Sequence, residues 1–247
     1  MNQKILRLIN RIVNFIRPKP RYLPLSVSDV LLNSKAKSVV EKFNDFYYSR
    51  GAEDLNWAGV PMIKNPCDLW MVVELFQKLR PSVIIETGTH CGGSASFYAD
   101  ILNSLGIESE VITIDINPKW NFDPKSKKIH SIVGYSTEQK IFLKVKKLTE
   151  DILRKQPGNV MVLLDSDHSE KNVLAELNLY SSLVSIGSYI IVEDTNLNGH
   201  PSSPSYGPGP YEAVEKFMQT NNFFEKDLSC QKFLLTYNPQ GWLKRVN

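Results

Sequence analysis

Cysteine is scarce in this chain of 247 residues: there are three, Cys67, Cys91 and Cys230, and no C-x-x-C pair. So sparse and odd a set excludes a disulfide-stapled scaffold and a zinc knuckle, and it suits a reducing compartment. Long apolar runs are missing as well. No stretch approaches the roughly 18–20 apolar residues that a membrane-spanning helix needs. Arg7, Asn10, Arg11, Asn14 and Arg17 interrupt anything that could serve as the apolar core of a signal peptide. The expected location is therefore the cytoplasm. A formal charge of only +3 gives no case for nucleic acid as a partner. The G-x-G-x-x-G spacing of dinucleotide binders is absent, and there are no internal repeats.

What charge there is sits unevenly. Residues 1–50 carry ten Lys and Arg against three Asp and Glu, whereas the remainder carries nineteen against twenty-three. In the basic part, Ile5, Ile9, Ile12 and Ile16 recur at helical spacing with Lys4, Arg7, Arg11 and Arg17 around them. Residues 2–17 thus predict a basic amphipathic helix, able to lie on an anionic membrane surface or to pack on protein. Pro18, Pro20 and Pro24 make an extended linker, residues 28–50 read as a further helix, and Asn56–Lys64 reads as a loop. The chain divides into an extension, residues 1–56, and a larger domain, residues 57–247.

In that domain strands and helices alternate. Asn65-Pro66 reads as a cap followed by proline at the first helical position, opening a helix to about Leu79. Val83–Glu86, Val111–Asp115, Met161–Leu164 and Tyr189–Val192 are mainly apolar runs of strand length, and His130–Val133 reads as a further, short strand. Helical patterns lie between them. Alternation of this kind predicts a doubly wound, mostly parallel α/β sheet, and all-apolar strands such as Tyr189–Val192 fit burial on both faces. Asn196–Pro210, with three Gly, four Pro and three Ser, breaks the rhythm as a lid or an unstructured insertion. Phe233–Tyr237 and Trp242–Val246, joined by Asn238-Pro239-Gln240-Gly241, read as a terminal antiparallel hairpin.

Two stretches carry chemistry. The first strand runs into Glu86-Thr87-Gly88-Thr89-His90-Cys91-Gly92-Gly93-Ser94, which opens a helix. Glycine allows tight turns and close approach, and helix N-terminal amides favour polar or anionic groups. Such turns are also frequent without a ligand. Asp115, ending the second strand, can accept both hydroxyls of a ribose, which indicates a nucleoside without naming the cofactor. Glu86 favours a methyl donor over a dinucleotide, since a carboxylate there would repel a pyrophosphate but suits the amino group of S-adenosylmethionine.

The second stretch is Leu164-Asp165-Ser166-Asp167-His168 together with Val192-Glu193-Asp194. If these strands are parallel neighbours, Asp165, Glu193 and Asp194 gather on one rim beside His168. A single acidic strand end can merely cap the next helix, but three carboxylates without cysteine suit a hard cation such as Mg²⁺. A hydroxyl held by that cation becomes more acidic, and an adjacent imidazole can take its proton.

Glu86-Thr87-Gly88 with Gly92-Gly93-Ser94, Leu164–Ser169, Gly187–Thr195 and Gly207-Pro208-Gly209-Pro210, in that order, resemble the cephalosporin hydroxylase family, which includes rhamnosyl and macrolide-sugar O-methyltransferases. The resemblance runs from about Trp57 to Val246. It implies a Rossmann-like class I methyltransferase fold, S-adenosylmethionine, Mg²⁺, a small-molecule or glycan acceptor and a homo-oligomer. It matches Asp165, Glu193 and Asp194 to the metal ligands and His168 to the general base, and leaves Asp167 in support. Glu86, Thr87, Gly88, His90, Gly92, Gly93, Ser94 and Asp115 are the expected cofactor contacts. Two other readings stay open: an iron-dependent hydroxylase using His168, Glu170 and His200, and a non-catalytic binding module tethered by its N-terminal helix.

Overall fold

The computed structural model describes residues 34–50, 55–120 and 122–247. The amphipathic helix expected at 2–17 and the proline linker after it lie outside the described residues. Of the helix expected at 28–50, the described part is α1, Ser34–Ser49.

Seven strands form one sheet: β3 (Pro81–Thr87), β4 (Glu110–Asp115), β5 (Ile129–Val133), β6 (Asn159–Leu164), β7 (Tyr189–Val192), β8 (Phe224–Lys226) and β9 (Trp242–Arg245). Their order is β5-β4-β3-β6-β7-β9-β8. The first five in that row are parallel, and β9 runs antiparallel to both β7 and β8. From β3 the chain moves outward through β4 to β5, then crosses back to β6 on the other side of β3. Strand order therefore reverses between β3 and β6, and at such a point the loops diverge and leave a crevice beyond the carboxyl ends of the strands.

The period-two rule divides the strand side chains between two cores. Val83 and Ile85 of β3, with Val160, Val162 and Leu164 of β6, pack under α4 (Gln139–Lys155), α5 (Glu170–Tyr180) and α6 (Pro210–Thr220). Ile84, Met161 and Leu163 face the other way, towards α2 (Pro66–Leu79) and α3 (Gly93–Ser104). All seven residues of β3 are buried. Burial on both sides is why these strands read as unbroken apolar runs rather than as alternation.

Three local expectations change. Asn56–Lys64, read as loop, contains a small hairpin in which β1 (Asn56–Trp57) pairs with β2 (Val60–Pro61). Its turn residues Ala58 and Gly59 both have positive φ, 51° and 83°, as a two-residue hairpin turn requires. Ala-Gly does not advertise that turn as Asn-Gly would. The hairpin is pinned to α3, with Trp57 Nε1 donating to Asp100 Oδ2 at 2.8 Å.

The C-terminal antiparallel pair is present, but its first strand is Phe224–Lys226 and not Phe233–Tyr237. Backbone groups in the latter segment are taken elsewhere. Thr236 N–H donates to Asn44 Oδ1 of α1, Tyr237 N–H to Asp68 Oδ2 of α2, and Tyr237 O accepts from Asn196 N–H. A residue whose amide is held by a side chain cannot also serve a sheet ladder. The proline- and glycine-rich loop 196–209 is packed rather than loose. Glu212 of α6 accepts from Asn198 Nδ2 and Gly209 N–H and bonds His200 Nε2. Burial works against ionisation of Glu212, yet these hydrogen bonds hold its carboxyl down to about 2.

Candidate active site

Every parallel strand sends its carboxyl end to one crevice. Gly88 and Thr89 follow β3, Asp115 ends β4, Gly134 to Ser136 follow β5, Asp165 to His168 follow β6 and Asp194 follows β7. Together with Pro61–Lys64 of the small hairpin's exit they line a cavity of about 480 Å³, within the size range of small-molecule sites.

One half is built on β3 and β4. Gly88 has φ 87°, and a Cβ there would lie 1.9 Å from the carbonyl oxygen of Asp165. This glycine is required because the ends of β3 and β6 touch. Gly92 is the residue that caps α3, and a Cβ on Gly93 would fall 2.3 Å from Pro61 O. Asp115 braces this turn: Oδ2 accepts from Thr89 and His90 N–H, each at 2.9 Å, and Oδ1 from Asn117 N–H at 2.7 Å. Each carboxylate oxygen has two lone pairs, so Oδ1 keeps one acceptor position for a ligand hydroxyl. Glu86 lies fully buried, receiving the Thr113 hydroxyl at 2.8 Å. Its Oε1 has no partner among the described residues. Burial pushes its carboxyl up to about 7, against the pull of Lys64 and the Ser94 and Thr113 hydroxyls.

The other half is built on β6 and β7 and is dominated by charge. Asp165 N–H is fixed by Thr87 O and Oγ1. Asp194 sits at φ 55°, a left-handed conformation that aspartate tolerates better than most residues. Its N–H is held by Asn238 Oδ1 at 3.0 Å. His168 Nε2 stands 3.3 Å from Asp194 Oδ2 and 4.0 Å from Asp165 Oδ1, and its ring is 26% exposed. Asp165, His168 and Asp194 can each place one ligand atom within 4.8 Å of the others, the single such grouping among the described residues.

Glu193 is oriented differently. Its Oε2 and Asp165 Oδ2 both meet Lys64 Nζ at 2.6 Å, and Lys64 is only 4% exposed. Burial alone would discharge that lysine, but the two carboxylates outweigh it and raise its pKa well above the ordinary value. Burial also pushes Glu193 and Asp194 upward; Lys64 and His168 respectively oppose this, and Asp165 reinforces it. Fully ionised, the three carboxylates would exceed the single Lys64 ammonium by two charges, the amount that one divalent cation balances. The donor set is oxygen-rich and contains no thiolate, as a hard cation requires.

A family model described as "Rhamnosyl O-methyltransferase/CmcI" matches residues 49–246. The chain belongs to this family. The rhamnosyl O-methyltransferase of Mycobacterium leprae is 36% identical to it over 213 residues, covering 84% of this chain and 91% of that protein. The protein of the same name from Mycobacterium tuberculosis H37Rv is 34% identical over 248 residues, covering 96% of each. Among solved structures, an apo form of CmcI superposes with a TM-score of 0.61 at 22% identity, over 79% of this chain and 77% of that one. A CmcI structure with Mg and SAM gives 0.60 at 22%, over 79% and 78%. The class I O-methyltransferase fold is thereby established.

Within this member of the rhamnosyl O-methyltransferase/CmcI family, the expected cofactor residues separate into two groups. Gly88, His90, Gly93, Ser94 and Asp115 line the crevice, while Glu86, Thr87 and Gly92 stand behind it. The expected metal residues separate too, with Asp165 and Asp194 on the crevice wall and Glu193 turned to Lys64. Asp167 Oδ1 accepts Ser169 N–H at 2.8 Å, shaping the turn into α5. The alternative iron triad is not assembled: Glu170 is paired with Lys216 at 2.5 Å, and His200 is bonded to Glu212 and stacked on Tyr211. Lys64 was missed. A lone lysine before a helix cap reads as a solvated loop residue, and no spacing rule points from it to strands 100 residues away. Gly134 could have been found, because it follows a strand as Gly88 does.

Proposed function

We propose that this protein transfers a methyl group from S-adenosylmethionine to a hydroxyl of a sugar or other vicinal diol, with Mg²⁺ in the acidic half of the crevice. The observation that carries the reading is the juxtaposition: a glycine turn with a ribose-type carboxylate and a carboxylate–histidine cluster open on the same cavity. When bound, S-adenosylmethionine supplies an electrophilic methyl and Mg²⁺ a Lewis acid that makes a hydroxyl more acidic. The rest falls to the chain. Asp115 Oδ1 offers its free lone pair to a ribose hydroxyl, and the first amides of α3 favour polar groups of the cofactor. Asp165, Glu193 and Asp194 would hold the cation beside the hydroxyls of the acceptor. His168 Nε2 takes the proton that the acceptor hydroxyl loses as its oxygen is methylated. Imidazole is the poorer ligand for so hard an ion, which favours the proton-accepting role for His168 over ligation. The names of the curated relatives support a deoxysugar hydroxyl as acceptor.

The test is methyl transfer from labelled S-adenosylmethionine to a panel of rhamnosides. Activity that vanishes in excess EDTA and returns with Mg²⁺ supports the reading. Full turnover in EDTA would remove the metal. Peripheral membrane contact through residues 2–17 and a homo-oligomeric state belong to the same reading. Deleting residues 1–20 should release the protein from anionic vesicles, and light scattering should give more than the monomer mass.

A further inference from the structure

Lys64 is a buried cation of the crevice to which the proposed function assigns no role. Its placement is not incidental. Gly93 lets the Pro61 carbonyl press onto the start of α3, Met62 is buried, and Asn65 caps α2 by accepting Cys67 N–H at 2.8 Å. The lysine is therefore held between two anchored residues, at the floor of the cavity. Its ammonium contacts one oxygen of Asp165 and one of Glu193, each at 2.6 Å. The contact is selective in a way that matters. Lys64 takes Asp165 Oδ2, whereas Oδ1 is the oxygen that lies nearest His168, the neighbour of Asp194 Oδ2.

We propose that Lys64 is a positioning residue, a permanent counter-ion that clamps Asp165 and Glu193 from behind so that the cation site is assembled before the cation arrives. The inference rests on the metal reading given above. Without an internal cation, three carboxylates from adjacent strand ends would repel one another and turn outward. With it, the fully ionised cluster keeps two negative charges, matched to a divalent ion, and its carboxylates are already in position. Groups that orient metal ligands in this way typically change metal affinity 10–100-fold when removed. The rival account is competition, in which the ammonium occupies the cation's own place and must leave when the ion binds. The two accounts predict opposite signs.

The experiment is a Mn²⁺ titration of the full-length protein, followed by electron paramagnetic resonance below the unfolding temperature of every variant. Lys64→Gln should weaken Mn²⁺ binding about tenfold or more, and Lys64→Arg, which keeps the charge, should recover most of it. In wild type, the Lys64 amine should stay equally protected from acylation with and without Mn²⁺, a measurement that needs no variant to fold. Equal or tighter Mn²⁺ binding by Lys64→Gln, or Mn²⁺-induced labelling of Lys64, would overturn the clamp. A wild type that binds no Mn²⁺ at all would instead count against the proposed function.

Discussion

The two halves of the crevice are made of different materials. On the β3–β4 side, backbone does the work: the turn from Gly88 to Gly93 is shaped by close approach, and Asp115 spends three of its four acceptor positions on main-chain amides. On the β6–β7 side, side-chain charge does the work, with Asp165, Glu193 and Asp194 set around Lys64 and His168. A half built from satisfied backbone is rigid before any ligand binds. A half built from surplus carboxylates is held against repulsion and gains most from an added cation. The contrast suits a cofactor that must be recognised by shape on one side and an ion recognised by charge on the other.

Changes that strike one half only should separate the two functions. The largest effect is expected from His168→Ala, which should lower kcat about 10²–10⁴-fold while leaving cofactor and Mn²⁺ affinities near wild type. Should Mn²⁺ binding disappear with it, His168 would be a ligand and the assignment of the base would have to change. Gly88→Ala should act on both halves at once, because the added Cβ meets the Asp165 carbonyl at 1.9 Å. About 3 kcal/mol of destabilisation is expected from the strained φ and the backbone displacement together, read by chemical denaturation. A neutral result would mean that the two strand ends are not in contact.

A smaller effect concerns Asp68, behind the charged half. Burial pushes its carboxyl up to about 7, despite hydrogen bonds from Thr236 and Tyr237. Its folded pKa thus exceeds the unfolded value of about 3.9, so its contribution is fully present below that value and is lost as pH rises through 7. Asp68→Asn keeps an acceptor for Tyr237 N–H and removes the charge. Its stability relative to wild type should rise between about pH 4 and 7 and level off above pH 7. A stability difference that does not vary with pH would show that Asp68 is not a buried, proton-holding carboxyl.

Much of the fold was legible because it rests on periodicity. Four of the five parallel strands and the helices between the strands announce themselves as apolar runs and amphipathic repeats, β5 being mixed, and Asn65-Pro66 marks a cap by chemistry that is purely local. The segment 233–237 misled for a reason that pattern cannot show. Its apolar and β-branched residues look like a strand, but Asn44 and Asp68, more than 160 residues away, hold its amides. The same limit applies in the site. Asp165 and Asp194 were visible because each lies just past a strand end, where topology predicts that ligands gather, and His168 because it follows Asp165 by three residues. Lys64 was invisible, because only the folded hairpin and the cap of α2 bring it under two strands that it neither adjoins nor pairs with.

The central claim, that cofactor and cation are held by separate residues of one crevice, is tested most directly by paired titrations. S-adenosylhomocysteine and Mn²⁺ would each be titrated into wild type, Asp115→Ala and Asp194→Asn. The account predicts that Asp194→Asn weakens Mn²⁺ about tenfold or more and leaves S-adenosylhomocysteine unaffected. Asp115→Ala should do the reverse, by about tenfold for the lost charge-assisted hydrogen bond. Two variants that weaken both ligands alike, or neither, would contradict it.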